Sequence, residues 1–502
     1  MCSELVKQTI EKLDRLEATM NAYAHVMGVM GVDASTAAPS DSANERGKTM
    51  AVLSGVMYEQ IANPENMEIA QVLLDHTQEI SETQRRRAEL LLKSYQQLSR
   101  IPQEEYVAYQ VLLNEADGVW KKAKADNDFN LFAPVLEQIV AYNRKFAGYY
   151  NPDIPAYDAL LNEYEEGLTM QTLDAFFASL RKALVPLVHA ITEKPQPDDT
   201  FLHACYPVEK QRAFSAVLMQ MLGIDADRCT IAETEHPFTA GFNNHDVRIT
   251  THYHEHDVSS SMYSVIHEGG HALYELGGDD ANNGTALMGG ASMSIHESQS
   301  RFYENIVGRS LAFVSRVLGK MQALFPEQME GVSAEQLYWA VNRVEPSLIR
   351  TEADELTYPM HIMVRYELEK RLIDGTLAVW DLPQAWNAMM KEYLGVDVPS
   401  DAQGCLQDTH WAGGMIGYFP SYALGSAYAA QMKAVMEREI GSVETLVERD
   451  ELTKVTDWLR THIHTYGCLY KPGELFERAC GTFDANYYVD YLKRKYTALY
   501  HL

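Results

Sequence analysis

The chain has 502 residues, 46% of them hydrophobic, and acidic side chains outnumber basic ones by 70 to 42, for a formal net charge of −28. That length allows a large buried core and, at roughly 150 residues per domain, room for two to four units. So acidic a surface repels phosphate backbones and anionic lipid, which argues against nucleic acid or a membrane as partner.

Helical periodicity dominates from the start. The first segment has helical charge patterning and no apolar secretory core. In it Ile10, Leu13, Leu16, Met20 and Tyr23 recur at three- and four-residue steps, which predicts one apolar stripe. Residues 81–98 read the same way, and Pro102 stands where a new helix can begin. No uninterrupted apolar run reaches the ~18 to 20 residues of a membrane span. The best strand lies over residues 246–254, where Val247, Ile249 and Thr251 alternate with polar residues. A helix follows, with N-cap candidates at Ser259 to Ser261 and a stop at Gly277 and Gly278. A loop rich in Gly, Asn and Asp runs over residues 277–283. Further on, Ser333 and Gln336 form a capping box before Leu337. There is no internal repeat, low-complexity tract or obvious linker. The expected class is mainly α, with a small β element beside the chemistry. Six scattered cysteines (Cys2, Cys205, Cys229, Cys405, Cys468 and Cys480) form no CxxC pair, so the expected setting is reducing, soluble and cytoplasmic.

The predicted helix after residue 258 carries HExxH at residues 267–271. Two histidines four apart lie on one helix face, one turn apart, and can bind one Zn²⁺ through their imidazoles. Such an ion lowers the pKa of bound water to about 7. Glu268 is placed to take that water's proton rather than to act as a ligand. Gly269 and Gly270 each cost the helix roughly 1 kcal/mol relative to Ala, which calls for close approach by another backbone or a substrate. The competing reading is a chance HExxH on a surface helix. A catalytic site needs a third protein ligand. Glu297, 26 residues after His271, is the candidate, with His296 as a further one. Against Glu297 stands a bland alternative, since Ser294 and Glu297 also match a capping box. His252, His254 and His256 share a face if the strand runs that far, but solvated histidines beside a strand are commoner than a metal site. His236 and His245 have the same bland reading.

Beyond HExxH, several elements appear in order. They are His236-Pro237-Phe238, Asp246-Val247-Arg248-Ile249-Thr250, His296-Glu297-Ser298-Gln299, residues 349–354 (IRTEAD) and residues 404–411 (GCLQDTHW). Together they resemble the thermostable carboxypeptidase family of metallocarboxypeptidases, and residues 473–496 resemble that family's usual ending. The resemblance implies one nearly all-helical catalytic unit over residues 1–502, two-lobed with a deep cleft, and a cytoplasmic homodimer. It implies removal of single C-terminal residues from peptides with broad specificity. One Zn²⁺ per chain is implied, with Co²⁺ as a metal that also supports activity, and Glu297 becomes the expected third ligand.

The remaining roles follow from that resemblance and from side-chain chemistry. His410 and Tyr418 are candidates to stabilise the oxyanion, because both carry polar tips on apolar bodies. Tyr422 is a candidate wall of the substrate site. With 29 tyrosines in the chain, a core role is the default for any one of them. Arg350 is a candidate for the substrate's terminal carboxylate, since a guanidinium donates two parallel hydrogen bonds. Its bland alternative is an i,i+4 ion pair with Asp354 on a helix. His236 and Arg248 are further substrate-binding candidates. The strand near residue 246 offers an edge for an extended peptide. Two other functions compete: an oligoendopeptidase with the same metal chemistry, and a catalytically dead helical peptide-binding protein. The intact Glu268 argues against the second.

Overall fold

The computed structural model describes residues 3–502. Among them are twenty α-helices and a single three-stranded sheet. The apolar stripes seen in sequence bury themselves in two clusters. The larger runs from Ile101 to Tyr500 and includes Phe132, Phe176, Phe214, Tyr303, Tyr366 and Trp386. The smaller joins Val6 and Leu13 of the first helix, Glu4–Thr36, to Ile69, Leu73 and Leu91 of helices Pro64–Asp75 and Glu82–Ser99. Of the five predicted stripe residues of the first helix only Leu13 is fully buried, because that helix packs on few neighbours.

Local signals place most boundaries. Ser81 and Ser333 each close the reciprocal capping box with Gln84 and Gln336. Helix Gln103–Asp126 begins just after Pro102. Helix Met170–Thr192 is long and apolar enough by composition to span a membrane, yet it buries Leu173, Phe176, Phe177, Leu180 and Leu184 in the main core.

The sheet has the order β1-β3-β2: β1 (Cys229–Glu233) pairs parallel with β3 (Asp246–Thr251), and β2 (Thr239–Asn243) pairs antiparallel with it. This corrects two expectations. The strand stops at Thr251, so His252, His254 and His256 lie beyond it; the His252 Nδ1 sits 2.9 Å from the Thr234 carbonyl instead. The strand is also central, so its edges are already occupied and an extended peptide has only β1 or β2 to pair with.

Candidate metal centre and active site

The helix bearing HExxH spans Val258–Leu276. Its N-cap is Asp257, whose carboxylate accepts from the Ser259 and Ser260 N–H groups; the expected serine caps lie inside the first turn. It ends at Gly277, as expected. A second helix, Met293–Arg301, is capped by Ser292, so the Ser294–Glu297 capping box does not form and Glu297 faces inward, buried.

The second of the motif's two glycines explains how these helices meet. A Cβ on Gly270 would stand 2.6 Å from the Gln299 carbonyl oxygen and 2.7 Å from the Ser300 Cα. On the far side of the second helix, a Cβ on Gly425 of helix Pro420–Ile440 would stand 2.7 Å from the Glu297 Cβ. The helix that carries Glu297 is therefore held between two others that come this close only where a side chain is missing. The close approach foreseen for the motif glycines is made by the second helix, while Gly269 accommodates Leu222 and Ile224.

The result is one cluster of ligand type among the described residues: His267, His271 and Glu297, with donor atoms all within 4.8 Å of one another. The His267 and His271 Nε2 atoms lie 3.9 and 3.6 Å from the Glu297 Oε2. Those spacings are long for hydrogen bonds. They approach the ~3.3 Å separating ligands that each sit about 2.0 to 2.1 Å from one tetrahedral ion. The far nitrogens are already used. The His267 Nδ1 is 2.8 Å from Glu304, and the His271 Nδ1 is 2.6 Å from the His296 Nδ1, whose Nε2 is 2.7 Å from Glu275. Holding the far nitrogen this way fixes each ring's orientation and turns Nε2 toward the cluster. His296, the other candidate third ligand, thus stands behind His271 and outside the ligand group. Burial pushes the Glu297 and Glu304 carboxyls up, but Arg301 and the facing histidines override it and hold both well below the usual range. The donor set of two imidazoles and one carboxylate fits a divalent ion of the zinc type.

Glu268, also buried, is oriented by Thr239 of β2, whose hydroxyl donates to its carboxylate at 2.6 Å. This is how the small sheet bears on the site.

A chain of contacts leads from the cluster to the other candidates. Arg301 donates to Glu297 at 2.6 Å and lies 4.2 Å over the Tyr358 ring. The Tyr358 hydroxyl accepts from the Arg350 Nη1 at 3.1 Å, and Arg350 lies 5.0 Å over the Tyr422 ring. The Tyr422 hydroxyl is 3.2 Å from the His410 Nε2, and the Tyr418 ring meets those of His410 and Tyr422 at 5.5 and 5.2 Å. Burial drops His410 to about 4, so it is neutral at pH 7, with its Nδ1 lacking a protein partner. Burial raises the Tyr418 hydroxyl, which therefore remains a donor.

Arg350 departs from the helical ion pair. It sits on a 3₁₀ turn, Arg350–Glu352, and its partner is Asp408, at 2.9 Å. Asp354 instead accepts from the Leu356 and Thr357 N–H groups as a local cap. Asp408 also takes Arg365 at 2.7 Å, so two guanidiniums face one carboxylate and one positive charge is left over. The Arg350 Nη2 is the member of that guanidinium without a protein acceptor. Arg248 and His236 do not join this cluster. Arg248 is bound to Asp246 at 2.9 and 3.0 Å and stacks on Phe242, while His236 is exposed between β1 and β2. Sequence reading missed Glu304, Glu275, Asp408 and Arg365. The signal for Glu304 was present: Glu297, Arg301 and Glu304 recur at i, i+4 and i+7.

Two histidines and a glutamate on packed helices, with a second glutamate beside them, are the arrangement expected of a metallopeptidase. The comparisons narrow this. The family model described as Carboxypeptidase Taq (M32) metallopeptidase matches residues 12–496. The chain is 41% identical over 482 residues to Carboxypeptidase 1 of Bacillus subtilis, covering 96% of each. It is 36% identical to Thermostable carboxypeptidase 1 of Thermus thermophilus, over 95% of this chain and 96% of that one. The crystal structure of an M32 carboxypeptidase from Deinococcus radiodurans superposes with a TM-score of 0.96 at 36% identity, covering 99% of this chain and 100% of the other. The chain belongs to the M32 family and is a metallocarboxypeptidase, a metal-dependent hydrolase of peptides.

Proposed function

We propose that the enzyme removes single residues from peptide C-termini, with His267, His271 and Glu297 holding one Zn²⁺, or Co²⁺ in its place. When bound, the ion supplies a polarised carbonyl and a water acidic enough to lose its proton near neutral pH. Glu268, aimed by Thr239, is the base that would take a proton from the attacking water and pass it to the leaving amine. Tyr418 and neutral His410 donate hydrogen bonds to the oxygen that gains charge. Arg350, its guanidinium fixed by Asp408 and Tyr358, binds the terminal carboxylate, and Tyr422 walls the same space. A substrate backbone pairing with the free edge of β2 would read no side chains, in keeping with broad specificity. His236 and Arg248 receive no role, because neither touches this set. The five described cysteines, all free, support a reducing cytoplasmic setting; Cys2 lies outside the described residues. The family resemblance supports a homodimer.

The observation that carries this reading is the surplus positive charge at Arg350, joined by contacts to the ligand cluster. A buried carboxylate without a partner is strongly disfavoured, so a site for peptide ends needs a cation there. Amidating the C-terminus should lower kcat/KM at least about 10²-fold, the size of a lost charged contact. Arg350→Ala should slow the free peptide and shrink the gap between the pair, with metal content retained. Equal wild-type rates on free and amidated peptides, or internal cleavage as the first product, would make this an oligoendopeptidase instead.

A further inference from the structure

Both candidate oxyanion donors flank one irregular loop. His410 immediately precedes residues 411–417 and Tyr418 immediately follows them. No regular helix or strand fixes this stretch, yet hydrogen-bond donors must be placed closely to act on a transition state. Something else has to hold it.

We propose that Glu369 is a positioning residue that pins both ends of this loop and so sets where His410 and Tyr418 stand. This rests on the reading of those two residues as oxyanion donors. Glu369 is fully buried on helix Tyr358–Asp374. Its Oε1 accepts from the Trp411 indole N–H at 2.7 Å, beside His410. Its Oε2 accepts from the Gly417 N–H at 2.9 Å, beside Tyr418, and from the Tyr157 hydroxyl at 2.7 Å. One side chain thus spans the loop's entry and exit. The exit is confined from the other side as well. Gly417 has φ +95°, and a Cβ there would stand 3.1 Å from the Leu160 carbonyl carbon of helix Ala156–Tyr164, the helix that supplies Tyr157.

The geometry demands an acid at this position. An indole N–H and a backbone N–H can only donate, so both Glu369 oxygens must accept. Burial raises the carboxyl to about 7, against the pull of its three donors. Either protonation state still serves. A proton on Oε2 is donated to Tyr157, whose hydroxyl turns to accept it, while that oxygen keeps a lone pair for Gly417. An amide cannot do this, because its nitrogen has no free lone pair. In Glu369→Gln the NH₂ must face either Trp411 or Gly417, donor against donor, and one end of the loop is lost.

That logic supplies a double-mutant test. Glu369→Gln should lower kcat about tenfold or more with KM within about twofold and metal stoichiometry unchanged. Trp411→Phe removes the donor that clashes with one amide orientation. Glu369→Gln/Trp411→Phe should therefore recover to the kcat of Trp411→Phe alone, above that of Glu369→Gln. Tyr157→Phe leaves both loop bonds in place and should keep kcat near wild type. A wild-type kcat in Glu369→Gln, or a loss that Trp411→Phe does not relieve, overturns the inference. If Glu369→Gln does not fold, Trp411→Phe decides by itself: freeing one end of the loop must lower kcat at constant KM, and an unchanged kcat overturns the proposal. Tyr418→Phe separates the underlying reading. If it leaves kcat unchanged, the oxyanion assignment fails; if it lowers kcat while Glu369→Gln does not, only the role of Glu369 fails.

Discussion

Two helices of this chain have the same length and opposite circumstances. Val258–Leu276 and Ala43–Ile61 each span nineteen residues; the first buries thirteen of them and the second none. The first packs against Met293–Arg301, the sheet and the 3₁₀ and π turns around it, so its side chains are fixed from several sides. The second leans on the N-terminal helix and touches Tyr106 through Tyr58, with ring centroids 5.8 Å apart. Ligand atoms need placement to a fraction of an ångström, and only a helix over-determined by its neighbours provides it. A helix with few buried contacts belongs to the low-stability end of the molecule.

Glycine makes the contrast measurable, because each helix carries one whose added methyl meets a different world. The largest effect is expected at Gly270→Ala. The new Cβ meets backbone, which cannot swing aside, at 2.6 and 2.7 Å. The two helices must part, and Glu297 leaves the histidines. The purified variant should lose its metal, lose at least about 10²-fold in kcat/KM, and melt at a lower temperature. Normal metal content in Gly270→Ala would show that the helices can re-pack without moving Glu297. Glu304→Gln comes next. It leaves the packing in place but weakens the group that orients His267, and a loss of about 10- to 100-fold in metal affinity is expected. Chelator competition reads this directly, and an unchanged affinity would remove Glu304 from the centre's support.

How much of this was legible beforehand divides along the same line. HExxH is local chemistry at fixed spacing, and the helix, its stop at Gly277 and the mainly α class follow from local rules. Glu297 and Arg350 were visible through motifs, but their surroundings were not. Arg350 finds Asp408, 58 residues away, and that pairing outcompetes the Asp354 four residues on, which serves as a cap. The order of the sheet was hidden because β1 and β2 are five-residue strands with no clear alternation, so the one strand with a clear pattern looked like an edge when it is the centre. His296 looked like a ligand because spacing cannot say which imidazole nitrogen faces which neighbour. Glu369 carries no motif at all; its role comes from where the chain returns to it.

The smallest effect is expected in the other helix, at Gly55→Ala, and its sign should be opposite. Gly55 lies inside Ala43–Ile61, and a Cβ there has no atom within 4 Å. Nothing has to move. What changes is the backbone: glycine gives up more conformational freedom on folding than alanine does, and inside a helix this is worth roughly 0.5 to 1 kcal/mol. Alanine at 55 should therefore raise local stability by up to that amount, read as slower amide exchange across Ala43–Ile61. The global melting temperature should move little, because a region that opens by itself does not limit unfolding of the main core. Metal content, kcat and KM should match wild type, since no residue of this helix belongs to the ligand cluster or to the loop after His410. A fall in activity or stability would mean that the face around Gly55 is covered in solution, and the comparison between the two helices would have to be redrawn with a partner on the second one.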